Sequence, residues 1–238
     1  MRRDLALMFA GTFLSYPLGL LLGQPWLLPL LNAAPAYAVL VHRLSRGERG
    51  GAVRAMLWWA AAVALTATVA FVWWPKPVGP LVLLGPAYRA EMFQWIRTGH
   101  GSEGNIRLFL PQHLLHLGVY LVLGVLTASA GAILMGGVLM NQMAYYVAEL
   151  ARAGVPAWAV TLLGWQPWAI ARIAAFCTLG VLLAEPLLFR VVPQARGRLK
   201  GAGRAAYVVA AMSGLLSDWF LKAILAPTWG RWLHRFLP

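Results

Sequence analysis

Long apolar segments recur along this chain from its first twenty residues to its last forty, and none of them alternates polar with apolar positions. This pattern constrains the fold more than any motif does. A helix rises 1.5 Å per residue, so about 20 apolar residues match the ~30 Å hydrocarbon core of a bilayer. A transmembrane barrel strand would alternate every second residue. Inside the bilayer each backbone N–H and C=O must be satisfied within its own segment, which selects helices. Composition agrees, because 61% of residues are hydrophobic and 11% charged, where a soluble domain carries about 25% charged residues. The sequence therefore predicts an all-α, polytopic helical integral membrane protein with one transmembrane domain over residues 1–238. Seven spans are expected, with six as the alternative: 5–22, 26–41, 55–74, 113–128, 131–150, 168–189 and 205–226.

The stretch Pro111–Arg152 is the most informative. It opens with His113 and His116, runs through roughly thirty uncharged residues, and closes on Asn141, Gln142, Tyr145, Tyr146 and Glu149. Its length suits two crossings, with the turn expected at Thr127-Ala128-Ser129-Ala130-Gly131. After the turn, Ala132 and Gly136 make a small-xxx-small face for close helix packing. Elsewhere, Pro29 and Pro35 imply a kinked second span, and HRLSRGERGGAVR is too rich in glycine to be helical throughout. Trp73-Trp74-Pro75 resembles an interfacial belt followed by a stop. In the long connection 78–112, Tyr88, Met92, Trp95 and Ile96 share a helical face, so an amphipathic interfacial helix is expected near 87–98.

Charge sets the expected topology. The chain carries 20 Lys and Arg against 7 Asp and Glu, which in a membrane protein reflects basic cytoplasmic loops and contact with anionic lipid rather than nucleic acid. If 113–152 crosses twice, Arg2, Arg3, four arginines from 43 to 54 and five basic residues from 190 to 204 share one side. Seven remain on the other: Lys76, Arg89, Arg97, Arg107, Arg152, Arg231 and Arg235. A single crossing would split the first group. The expected protein thus lies in a bacterial cytoplasmic (inner) membrane, with its N-terminus cytoplasmic. Its C-terminus and loop 78–112 would lie outside. The N-terminal segment has a basic start and an apolar run but no A-x-A-like site, and reads as a retained first helix. Cys177 stands alone, so no intrachain disulfide is possible.

Ionisable groups inside spans cost about 2.5–3.5 kcal/mol each on insertion scales, so each needs a reason. Under the seven-span topology His113, His116, Asn141, Gln142, Tyr145, Glu149, Arg172, Asp218 and Lys222 lie toward the outer side and form the candidate polar cluster. His113 and His116 at i, i+3 could ligate one divalent metal with Glu91, His100, Glu103 or Glu149 as a third ligand. The plainer reading is two interfacial histidines bonding loop backbone. Asp218 and Lys222 at i, i+4 have the spacing of an intrahelical ion pair, and Glu149 with Arg172 could pair across helices. Asn141, Gln142 and the two tyrosines fit interhelical hydrogen bonding or a cavity lining. No P-loop, dinucleotide fingerprint or G-x-S-G motif is present. Three classes follow: a permease-like or membrane-complex subunit binding a small or lipidic ligand at an outer-face cavity, an intramembrane and possibly metal-dependent enzyme, and a structural subunit. The expected partners are the bilayer and other membrane subunits or further copies of the chain.

Overall fold

The computed structural model describes residues 2–74, 76–197, 199 and 203–237, and is helical with no strand among them. The helices are α1 (Arg2–Leu22), α2 (Leu27–Ser45), α3 (Arg49–Trp73), α4 (Gly85–Thr98), α5 (Ile106–Leu126), α6 (Ala130–Arg152), α7 (Ala157–Leu163), α8 (Pro167–Val191), α9 (Pro193–Gly197) and α10 (Arg204–His234). Six of them, α1, α2, α3, α5, α8 and α10, are long and apolar enough to cross a membrane. The chain is accordingly an all-α membrane protein. Arg198, Lys200 and Pro75, which carry part of the charge count and the stop after α3, lie outside the described residues, as do the side chains of Arg2 and Arg196.

Helix α6 has 23 residues but falls outside that apolar set, because it carries Asn141, Gln142, Glu149 and Arg152. Its setting explains the polarity. Every residue from Met140 to Ala148 is buried by neighbouring helices, so Asn141 and Gln142 meet protein rather than lipid. A three-residue turn, Thr127–Ser129, joins α5 to α6 and reverses the chain. Ala128 and Ser129 both take positive φ there, and Ser129 Oγ donates to the Gly180 carbonyl at 2.5 Å. That bond holds an otherwise disfavoured backbone in place.

Pairs of touching residues show that the long helices alternate in direction. Helices α1 and α2 approach closely where Gly11 faces Pro35 and Gly19 faces Leu28. A Cβ at Gly11 would stand 2.9 Å from the proline side chain. Trp59 on α3 donates to the Asn32 carbonyl in the turn before Pro35. Trp59 also lies over Gly136, while Phe71 meets Tyr145, so α3 and α6 run the same way. Residues 2–4, 43–54, 126–130, 185–197 and 203–204 thereby collect at one end, which we call the N-terminal end. Residues 23–26, 76–105 and 153–166 collect at the opposite end.

The expected interfacial helix is α4. It buries Met92, Phe93, Trp95 and Ile96 and packs on α6 and α10 at the opposite end. Two boundaries differ from expectation. Only residues 46–48 separate α2 from α3, because Arg43 pairs with Asp4 at 2.7 Å and with Glu48 at 2.6 Å and clamps the turn. The glycines at 50 and 51 are therefore helical. Helix α5 begins seven residues earlier than expected, at Ile106, where Asn105 Oδ1 caps the Arg107 N–H at 2.9 Å.

Candidate intramembrane site

Helix α10 carries Asp218 and Lys222 one turn apart on one face, and both are essentially fully buried. Two unmasked charges in a helix core would be prohibitive, so each needs a partner from elsewhere. The pairing differs from the intrahelical one the spacing suggested. Lys222 Nζ donates to Glu103 Oε1 at 2.8 Å and lies 4.4 Å from the Phe109 ring centroid. Glu103 sits in the short turn 102–104, and its other oxygen accepts from Trp168 Nε1 at 3.0 Å. Gly99 and Gly101, both at positive φ, let the chain double back so that this turn dips into the bundle.

Asp218 faces α5 and α8 instead. Its Oδ2 stands 3.2 Å from His113 Nε2 and 4.0 Å from Arg172 Nη1, and neither carboxylate oxygen has a hydrogen-bond donor among the described residues. The two observations are compatible, because the imidazole lies within charge-pairing distance without hydrogen-bonding geometry. His113 Nδ1 is 3.0 Å from the Phe109 carbonyl one turn back. With Nδ1 as the N–H donor to that carbonyl, Nε2 is left to accept. Nε2 also touches Arg172 Nη1.

Glu103, His113, Arg172 and Lys222 line a cavity of about 140 Å³ walled by α2, α3, α4, α5, α6, α8, α10 and the 102–104 turn. Its polar wall carries Glu91, Glu103, His113, His116, Arg172 and Lys222, and Glu91 accepts from the Ser102 hydroxyl. The remaining wall is apolar and includes Met56, Trp59, Ile133, Gly136 and Phe176. Tyr88, on α4 and outside the spanning helices, also lines it, and its hydroxyl meets Met143 Sδ at 3.3 Å. Burial, reinforced by nearby Glu103, pushes this phenol well above its ordinary pKa, so it stays a neutral donor.

The structure thus brings together His113, His116, Gln142, Arg172 and Lys222 along one cavity, with Asp218 directly behind His113. It separates the others. Asn141 accepts from Tyr16 at 2.7 Å and donates to Asn32 at 2.8 Å, which in turn donates to Ser15. This chain of bonds joins α1, α2 and α6 away from the cavity. Tyr145 lies against Gly79 and Phe71. Glu149 pairs with Arg89 at 3.0 Å and Arg152 at 3.1 Å rather than with Arg172. Glu91, His113 and His116 all line the cavity, but among the described residues no group of three His, Cys, Asp or Glu is disposed to hold a metal ion. Sequence reasoning missed Trp168, Ser102 and Gln112 as parts of this site. Gln112, next to His113, was the one with a local signal.

No protein-family model, curated protein or solved structure matches this chain.

Proposed function

We propose that the protein is a seven-span membrane protein that holds a small ligand inside the bundle, with the ligand's polar part against the Glu103–Lys222 and His113–Arg172–Asp218 groups. Helix α6 is the seventh span, its polar residues met by neighbouring helices. Among the described residues, Arg3, Arg43, Arg46, Arg49, Arg54, Arg190 and Arg204 share the N-terminal end, and the positive-inside bias favours a cytoplasmic N-terminal end with the cavity's charged wall toward the outer side. A permease or the ligand-binding subunit of a membrane complex fits this arrangement.

The observation that carries the reading is the cavity itself. Its ~140 Å³ is close to the roughly 150 Å³ of an engineered apolar protein cavity that binds benzene, yet one wall here carries five ionisable side chains from the helices and one from the 102–104 turn. Charges in spans are retained at a cost, and convergence on one void is what a binding site requires.

Gly136→Leu tests it. A Cβ at Gly136 would meet nothing closer than Trp59 at 3.8 Å, so the new side chain enters the cavity without a backbone clash. Native mass spectrometry of wild-type protein in mild detergent should show a stoichiometric adduct that organic extraction releases. The Gly136→Leu protein should still unfold cooperatively and lack the adduct. A wild-type protein with no adduct, or a variant that keeps it, refutes the reading.

A further inference from the structure

The cavity shares a wall with a second hollow that opens sideways. A groove of about 550 Å³ runs along the outside of the bundle between α3, α6, α7 and α8. Leu57, Ala61, Leu65 and Val69 form its α3 bank, and Thr161 on α7 and Ile170 on α8 form part of the other. The bank residues Leu57, Leu65, Val69 and Ile170 are all exposed, on helices apolar enough to sit in lipid. From Leu57 to Val69 the groove follows about 18 Å of helix axis.

Ala60, Met140 and Ile173 belong to both hollows and are the partition between them. Ala60 is small, and Met140 is an unbranched side chain with rotatable bonds that can swing aside without moving backbone. Ile173 follows Arg172 in the chain, so the partition stands at the depth of the charged wall. The aqueous side of the cavity is covered differently. There α4 and the 102–104 turn are pinned across the bundle end by the Glu103 contacts and by Trp95, which packs against Gly104 and Gly230.

We infer that the ligand is a bilayer amphiphile with a small polar headgroup and a hydrocarbon chain, admitted sideways past Met140 so that the headgroup lies in the charged cavity and the chain in the α3–α8 groove. The inference rests on the ligand-binding reading above and adds the substrate class and the route. A groove of this volume falls in the range of ligand sites, and continuity with a charged void is what distinguishes it from ordinary lipid-facing surface.

The test uses the full chain in phosphatidylcholine nanodiscs with palmitate bearing a terminal diazirine as probe. Light should attach the probe to residues 57–69 and 160–174 in a manner that saturates with probe concentration and that unlabelled palmitate competes away. Ala61→Trp and Thr161→Trp each fill the groove from an exposed position. Overpacking of this kind should lower the saturable labelling about tenfold or more. Labelling at Leu7 and Leu21, on the outer face of α1, should stay unchanged. Groove labelling that never saturates, or that both tryptophan variants leave intact, overturns the inference. An adduct retained in both tryptophan variants but lost in Gly136→Leu overturns the groove assignment alone. An adduct lost in none of the three overturns the cavity reading as well.

Discussion

Glu103→Gln removes the carboxylate that Lys222 faces while keeping the shape of the side chain. The ammonium is 2.8 Å from Oε1, with the two side chains 1% and 9% exposed. At an effective dielectric near 20, a pair at that distance attracts by about 6 kcal/mol. Desolvation offsets much of that, so the pair as a whole adds little over an apolar pair of equal volume. Breaking it from one side is different, because an uncompensated charge stays buried. Glu103→Gln is expected to cost about 3–5 kcal/mol of stability. The Phe109 ring, 4.4 Å from Nζ, and the Asp218 carboxylate one turn back offset only part of that cost. The double variant Glu103→Gln, Lys222→Met should cost less than Glu103→Gln alone. The assay follows unfolding in mixed micelles of increasing sodium dodecyl sulfate with a thiol-reactive dye. Cys177 is the single cysteine and is buried in the folded protein, so it labels only on opening. Carrying the cycle in the Gly136→Leu background keeps ligand binding from adding to the apparent stability. Costs for the two single variants that simply add, within about 0.5 kcal/mol, would refute the pairing.

Two further outcomes probe the scaffold. Glu185 lies 13 residues beyond Arg172 on α8, about 20 Å toward the N-terminal end, and binds Arg49 through contacts of 2.5 and 3.1 Å. Glu185→Gln should lower stability by about 3–5 kcal/mol in the same unfolding assay, while native mass spectrometry shows the wild-type adduct; loss of the adduct would mean the two ends are coupled. Gly180→Ala places a Cβ 2.6 Å from the Tyr120 hydroxyl, which itself donates to the Phe176 carbonyl at 2.7 Å. It should cost about 1–3 kcal/mol, and most of that cost should vanish in a Tyr120→Phe background if this contact is its source.

The amino-acid sequence determined the class and the plan of this protein. Apolar runs of bilayer length leave the backbone no choice but helices, and that conclusion needs no knowledge of neighbours. The amphipathic α4 and the reversal at Thr127–Ser129 were legible for the same reason, since periodicity and chain breakers are local signals. Which charges meet was not legible. Asp218 and Lys222 have ion-pair spacing on one helix, yet the fold turns Lys222 to Glu103, 119 residues away, and Asp218 to His113. Helix packing fixes such partners, because a buried charge takes whichever counter-charge the tertiary arrangement brings within a few ångströms. The same holds for Asn141, whose hydrogen bonds run to α1 and α2 and not into the cavity. The cavity and the groove beside it are properties of the gaps between helices. Only the three-dimensional arrangement decides them, since a void has no residue of its own in the sequence.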